Sequence, residues 1–206
     1  MRTLNMSTFT YHKFSYSFFE GECEKLVEKY KDSEVVRDLL ITPTFFNILD
    51  LPDKYYILGQ QVAVIVLIAS GPNHIAAPHT DGEYGEALAL NIPISGCTGA
   101  FTRFYESTDP APLRLNVAES FPTYINKENE KIIKLGVDLG LTKRVPYYSI
   151  HRRQYLKKVD ELELTSPTLI NVGSAIHEIV NYKKSQRVAL SVRFFEDPWH
   201  WIPLKK

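Results

Sequence analysis

Apolar residues recur along this chain with two different periods, which predicts a helical front followed by a body of β-strands. Residues 1–17 alternate aromatic and polar side chains, a pattern typical of an edge strand. Residues 18–40 then carry apolar side chains at helical spacing with charges between them. A second helix is predicted around residues 127–139. These helices are expected to brace the outside of a sheet.

From residue 57 onward the pattern changes to strict alternation or to short β-branched runs, which indicates strands. Residues 61–70 are almost wholly apolar, so we expect this strand to be buried on both faces. Further strands are predicted at 86–95, 100–106, 147–164, 168–172, 175–181 and 187–196. Seven or eight short strands in two runs predict a mainly β fold, namely a double-stranded β-helix of the jelly-roll or cupin-like type with flanking helices.

The 206 residues are enough for one domain with a sizeable core. We assign residues 1–56 to the bracing helices and edge strand, 57–196 to the jelly-roll core, and 197–206 to a C-terminal tail. An insertion at about residues 107–144 interrupts the core. Long insertions of this kind often act as lids, so the segment either covers the mouth of the barrel and selects substrate or packs as a helix on the outside.

Polar residues in the strand region form the candidate site. His79 and Asp81 lie two apart on a predicted strand, so their side chains leave the same face. His177, on a later strand, can supply a third ligand. Two imidazoles and one carboxylate on one face of a metal ion are typical of non-haem Fe(II) oxygenases. Arg187 adds a permanently charged fork that can bind a carboxylate at two points.

Residues 57–196 resemble the Fe(II)/2-oxoglutarate-dependent dioxygenase superfamily. The resemblance rests on the H-x-D motif at His79 and on the run from residue 167 to residue 194, which contains His177 and Arg187. It implies that the two histidines and Asp81 bind Fe(II), that 2-oxoglutarate chelates the iron, and that Arg187 neutralises the C5 carboxylate of 2-oxoglutarate. Molecular oxygen takes the remaining coordination position.

The reaction implied by this resemblance couples oxidative decarboxylation of 2-oxoglutarate to oxidation of a substrate C–H bond, most often a hydroxylation. Relatives that halogenate leave out the carboxylate ligand, so the presence of Asp81 argues against halogenation. The substrate, a small molecule or a protein side chain, has no signature in the sequence.

Four further residues are candidates for binding the cosubstrate or substrate. Asn91 lies among small residues on its strand, where it either hydrogen-bonds the cosubstrate or is an ordinary strand asparagine. Many members of the superfamily place serine or threonine two residues after the arginine. Here that residue is alanine, and Ser191 follows two further on. Tyr105 is either a ligand contact or a core tyrosine. Arg193 is the alternative carboxylate anchor, or a solvated charge paired with residue 196 or 197.

Other histidines and a basic stretch have simpler interpretations. His74 precedes the H-x-D motif by five residues and is expected to line the mouth rather than bind the metal. Residues 151–158 are strongly basic and could bind an acidic protein, a nucleic acid or a phosphorylated substrate. The alternative is a solvated edge strand, on which lysine discourages aggregation.

Composition narrows the class of protein. Hydrophobic residues make up 44% of the chain, which excludes a disordered protein, and 24 basic residues balance 24 acidic ones. There is therefore no strong signal for nucleic acid or an acidic membrane. The longest apolar run, 62–69, is too short to span a bilayer, and the first residues do not form a signal peptide. Two cysteines without framework spacing favour a reducing cytoplasm.

The sequence thus predicts an Fe(II)- and 2-oxoglutarate-dependent oxygenase, most often a hydroxylase in this superfamily. A rival from another class is a non-catalytic jelly-roll protein that keeps a metal for structure or for ligand binding. A third alternative is a cupin-type metalloenzyme, such as an isomerase or an oxygenase that needs no keto acid. Arg187 discriminates among them, because only the first requires a carboxylate anchor at that position.

Overall fold

A computed structural model of the chain describes residues 11–18, 39–41, 55–81, 88–116 and 147–201. These residues form short, antiparallel β-strands throughout. The strands are β1 (Tyr11–Lys13), β2 (Leu39–Ile41), β3 (Tyr56–Ile57), β4 (Gln60–Ser70), β5 (His74–Ile75), β6 (His79–Asp81), β7 (Leu88–Ser95), β8 (Ala100–Ser107), β9 (Leu113–Asn116), β10 (Tyr147–Ile150), β11 (Leu156–Glu163), β12 (Thr168–Asn171), β13 (Ile176–Asn181) and β14 (Arg187–Phe194).

The strands assemble into two sheets. The first sheet has the order β1-β12-β7-β14-β4-β2, and β3 pairs with β4. The second sheet has the order β11-β8-β13-β6-β10-β9, and β5 pairs with β13. The prediction of a mainly β protein is therefore confirmed. The described segments contain 3-10 turns at Arg153–Tyr155 and Trp199–Trp201 but no α-helix, and no helix in them is long and apolar enough to cross a membrane.

The flanking helices are not found in the described part of the chain. The helix predicted at 127–139 and most of the one predicted at 18–40 fall outside these residues. The predicted C-terminal end of the helix at 18–40 was wrong, because Leu39–Ile41 pairs with β4 as strand β2. Three consecutive apolar residues suit a strand as well as a helix, and only pairing with β4 decides between them.

Two other boundaries differ from the sequence prediction. The strand predicted at 147–164 is two strands, β10 and β11, separated by the turn at Arg153–Tyr155. Part of the insertion predicted at 107–144 belongs to the second sheet, because Leu113–Asn116 pairs with β10 as an edge strand. The edge strand predicted within 1–17 is found at β1, which among the described strands pairs with β12 alone, at the border of the first sheet.

The main apolar core covers the face of the first sheet that points away from the second sheet. Alternate residues of β14, namely Leu190, Val192 and Phe194, are at most 4% exposed on this face. They pack against alternate residues of β7 and β12 and against residues before β4 and after β14. The other members of the cluster are Phe14, Phe18, Tyr55, Ile57, Leu58, Val62, Ile65, Leu88, Leu90, Ile92, Ile94, Leu169, Val188 and Trp199.

The opposite face of the first sheet looks toward the second sheet and is lined by smaller side chains. Ala89 and Ile170 pack there against Phe104 and Leu162 of the second sheet. Ala189, on β14, lies on the same face because it alternates with the outward Leu190. Alanines make this face less bulky than the outward one, and Asn91, Arg187 and Ser191 lie on it.

Gly96 lies in the turn between β7 and β8, and this turn packs against the start of β14. Its φ is 62°, in the left-handed region that side chains rarely adopt. A Cβ added at Gly96 would overlap the carbonyl oxygen of Gln186 and approach the Cα of Arg187. The turn can therefore pack this closely on β14 only with glycine at this position.

We predict that Gly96→Ala lowers the free energy of unfolding by about 2–4 kcal/mol, because left-handed strain adds to steric overlap. Gly71→Ala is the matched control, since an added Cβ there meets nothing within 4 Å, and its effect should stay within about 1 kcal/mol. Denaturant unfolding measures both. Equal stability of the two variants would contradict the close approach at Gly96.

Candidate metal centre

The three predicted ligands meet on two neighbouring strands of the second sheet. His79 and Asp81 are the first and last residues of β6, and Thr80 between them points to the other face. His177 lies on β13 directly opposite His79 in the antiparallel register. The two imidazole rings are 4.6 Å apart between centroids. Strand pairing therefore brings together residues that are far apart in the sequence.

The geometry of the group is suited to one metal ion. His79 Nε2 lies 3.1 Å from Asp81 Oδ1, and His177 Nε2 lies 3.9 Å from the same oxygen. One ligand atom from each residue lies within 4.8 Å of the others. Two imidazole nitrogens and a carboxylate oxygen in this arrangement can hold a metal on one side and leave its other side open.

Backbone carbonyls orient both imidazoles. His79 Nδ1 is 2.7 Å from the carbonyl oxygen of Ala77, and His177 Nδ1 is 2.9 Å from that of Ala175. When each Nδ1 carries the proton and donates it, the Nε2 lone pair is left for a metal. The two contacts have the same sequence spacing, since each carbonyl belongs to the residue two positions before its histidine.

Asp81 lies on a strand of the second sheet and also forms hydrogen bonds with residues that belong to or directly follow strands of the first sheet. Its backbone N–H donates to the carbonyl of Val172 at 2.7 Å. Its Oδ2 accepts a hydrogen bond from Arg193 Nη2 at 2.6 Å, while Oδ1 faces the histidines. The expectation that Arg193 pairs with residue 196 or 197 was wrong. The Arg193–Asp81 contact links two sheets, and no spacing in the sequence signals it.

Burial and charge set the protonation states in the group. Burial acts to raise the pKa of Asp81, but the hydrogen bond with His79 and the charge of Arg193 hold that pKa far below its ordinary range. Burial, followed by repulsion from His79, lowers the pKa of His177 to about 4. His177 is therefore neutral near pH 7, as a metal ligand must be. Burial opposes protonation of His79, but Asp81 outweighs it and raises the pKa of His79.

Arg187 is the most unusual charge in the described structure. Only 1% of the residue is exposed, yet its Nε and Nη1 have no hydrogen-bond partner among the described residues. Burial lowers the pKa of the guanidinium, although not enough for an arginine to lose its proton. A buried, uncompensated charge costs several kcal/mol. Such a group is expected where an anionic ligand completes the site.

Asn91 and Ser191 add two more unsatisfied groups to the same face. They are cross-strand partners on β7 and β14. Asn91 Oδ1 and Ser191 Oγ are buried and lack a hydrogen-bond partner in the described structure. Both residues share a face with Ala89 or Ala189, and thus point between the sheets. The structure therefore places Arg187, Asn91 and Ser191 on one wall, all with unused polar atoms.

Tyr105 does not belong to this wall. It is paired with Ile176, on the face of the second sheet opposite His177 and Phe104. Its hydroxyl donates to Glu178, and burial together with Glu178 raises the pKa of Tyr105 to about 12. The pleat of β8 turns this side chain away from the space between the sheets, which favours the alternative of a packed tyrosine over a cosubstrate contact.

The basic stretch 151–158 is largely neutralised by acidic neighbours. Arg152 donates to Asp109, with a shortest contact of 2.5 Å, and Arg153 donates to Glu178 at 2.7 Å. Lys158 lies 3.4 Å from Glu161. These pairs favour a structural role for the stretch over a basic surface that binds nucleic acid.

His74 is exposed on β5, where its backbone pairs with Asn181. It is not one of the His-Asp-His group, and its place near the mouth stays a prediction. Asn181 has a structural role. Its amide donates to the carbonyls of Ser70, Gly71 and Ser185, and so ties the loop before Arg187 to the end of β4.

No protein-family model and no curated protein matches this sequence.

We predict that His177→Ala abolishes high-affinity Fe(II) binding and leaves the fold intact, because two remaining ligands cannot close the site. His74→Ala is the matched control, as it removes an exposed imidazole outside the group. Anaerobic calorimetry measures Fe(II) binding, and circular dichroism checks the fold. Undiminished iron affinity in His177→Ala would show that His79, Asp81 and His177 are not the metal site.

Proposed function

We propose that this protein is an Fe(II)- and 2-oxoglutarate-dependent oxygenase that hydroxylates its substrate. The observation that carries the proposal is that a His-Asp-His group and a buried arginine, which lacks a partner in the described structure, lie on the two sheet faces that look toward each other. The group supplies ligands for a metal, and Arg187 supplies a receptor for a carboxylate. An enzyme that binds iron beside a dicarboxylic keto acid needs both.

Strand order supports a double-stranded β-helix as the fold behind this site. We number β4, β6, β7, β8, β11, β12, β13 and β14 from 1 to 8 in chain order. The first sheet then reads 6-3-8-1 and the second 5-4-7-2. The chain crosses repeatedly between the sheets, as in a jelly roll of eight strands. In such a barrel the metal group and Arg187 project into one interior from opposite sheets.

The donor set fits iron. Two histidines and a carboxylate on one face, with open positions opposite, are the ligands of non-haem Fe(II) oxygenases. The cysteine of the described residues, Cys97, is not part of the group and lies in a separate cluster with Leu164 and Ala189. When bound, the iron and 2-oxoglutarate supply the oxidising chemistry, in which one oxygen atom enters a C–H bond while succinate and carbon dioxide are released.

The chain's own residues bind and orient. Arg187 neutralises the distal carboxylate of 2-oxoglutarate through two N–H groups that otherwise have no partner in the described structure. Asn91 and Ser191 border the same space and can hydrogen-bond the bound molecule. Arg193 fixes the Asp81 carboxylate so that Oδ1 faces the metal position. The apolar faces of Phe104 and Leu162 keep water out of the space between the sheets.

The burial of Arg187 argues against the two rival functions. A structural metal in a non-catalytic jelly roll, or a cupin-type enzyme without a keto acid, has no need of a carboxylate receptor. Such a protein would bear the destabilisation from a buried charge without any gain. Binding of 2-oxoglutarate gives this charge a partner. The removal of the destabilisation present in the free protein then contributes to the affinity for the ligand.

We predict that Arg187→Leu raises the 2-oxoglutarate concentration needed for binding by about a hundredfold, as loss of charge-assisted hydrogen bonds requires. Fe(II) affinity should change little. The ligand-free variant should be more stable than the wild type by about 1–4 kcal/mol, because it no longer buries an unpaired charge. Thermal unfolding with and without 2-oxoglutarate, in the presence of Mn(II), measures both effects.

Arg193→Leu serves as the comparison, because Arg193 is the alternative carboxylate anchor on the same strand. We expect 2-oxoglutarate to stabilise Arg193→Leu with its metal bound, but not Arg187→Leu. The reverse result would make Arg193 the anchor. Equal stabilisation of the wild type and both variants would contradict a cosubstrate site on β14, and with it the proposed function.

A further inference from the structure

Arg193 lies at the candidate metal centre, and the described residues use only a small part of its hydrogen-bonding capacity. Its Nη2 donates to Asp81 Oδ2 at 2.6 Å, and the described residues provide no other hydrogen bond to its guanidinium. A guanidinium has five N–H donors in a planar fork, so one carboxylate contact leaves most of them available. The Arg193 side chain is 21% exposed, whereas Arg187 is 1% exposed.

The two arginines divide the interior into a deep part and an outer part. Their positions differ by an even number of residues on β14, so both leave the strand on the face toward the second sheet. Arg187 stands at the buried beginning of the strand. Arg193 stands beside the metal ligands, where the site is still open to solvent. An anion that enters after 2-oxoglutarate therefore meets Arg193.

The charges of the proposed complex also leave Arg193 without a full partner. Asp81 and the C1 carboxylate of 2-oxoglutarate balance the two charges of Fe(II), and the C5 carboxylate balances Arg187. The Asp81 carboxylate is thus shared between the metal and Arg193. One positive charge remains in a partly desolvated site, which suits a singly charged carboxylate better than a phosphate dianion.

We propose that the substrate of this enzyme carries a carboxylate and that Arg193 binds it beside the metal. The inference rests on the proposed function and names the substrate class of the same site. The carboxylate takes the N–H groups that Asp81 does not use. It thereby orients a nearby C–H bond of the substrate toward the open side of the metal. Arg193 thus has two roles, as a positioning residue for Asp81 and as a substrate receptor.

The test uses the full chain loaded with Zn(II), which is diamagnetic and does not activate oxygen, together with saturating 2-oxoglutarate. The Arg193 Nε–H signal in nitrogen-15 NMR is identified by its loss in Arg193→Lys. Propionate and butyrate are then titrated against propionamide and butyramide, which have nearly the same shape but no charge. We expect the acids to shift the Arg193 signal and the amides to leave it unchanged.

Calorimetry on two variants separates the arginine from other sites of anion binding. Arg193→Gln should weaken binding of the acids about tenfold or more, as expected for hydrogen bonds to a charged group. Lys157→Gln removes a charge from an exposed strand position and should leave the binding unchanged. Zn(II) is kept saturating, because Arg193 also contacts Asp81.

Three results would overturn the inference. The first is that the acids and the amides shift the Arg193 signal equally. The second is that no acid shifts this signal while 2-oxoglutarate remains bound. The third is that the acids bind Arg193→Gln as tightly as the wild type, which would mean that they bind the metal instead. Failure of the proposed function is a different result, because then 2-oxoglutarate itself does not bind the loaded protein.

Discussion

The register between β6 and β13 is the constraint on which the candidate site depends. His177 stands opposite His79 in the antiparallel ladder, and Asp81 follows on the same face of β6. A slip of one residue would turn a whole strand's side chains to the other face. One histidine would then point away from the space between the sheets, and no group of three ligands would form. Pairing of β13 with β8 over its whole length makes such a slip costly.

Charge burial on β14 is the second constraint, and it acts against stability. Arg187 and Arg193 occupy the face that looks between the sheets, while the alternate residues of the same strand form part of the main apolar core. Burial of those apolar residues stabilises the strand and offsets the destabilisation from a guanidinium that lacks a partner in the described structure. β14 thus carries residues of the main apolar core on one face and the two guanidinium groups on the other.

The face of the first sheet that looks toward the second sheet combines small residues with polar ones. Ala89 and Ala189 alternate with Asn91 and Ser191, whose buried oxygens have no hydrogen-bond partner in the described structure. Tyr105 shows that a residue next to one on the inward face of its sheet can point to the opposite face. It follows Phe104 by one residue, yet its hydroxyl contacts Glu178 on the far side of the sheet. A shift of one position along a strand decides whether a side chain belongs to the site.

The sequence by itself determined the mainly β character and the membership of the metal group. Period-two alternation predicts strands from local residues alone, and the H-x-D spacing places two ligands on one face whatever the rest of the fold. The chemistry of a histidine, an aspartate and a permanently charged arginine is likewise a property of the residues. Period-two alternation also puts Arg187 and Ser191 on one face of their predicted strand before their surroundings are known.

Only the tertiary structure decided which charges meet and which remain unpaired. Arg193 contacts Asp81 across two sheets, Arg187 is left without a partner in the described structure, and the basic stretch 151–158 is neutralised by acidic residues distant in sequence. Residues 39–41 became a strand because β4 offered a free edge. Each of these outcomes depends on long-range pairing, and local patterns carry no information about charged partners that lie 25 to 112 residues away.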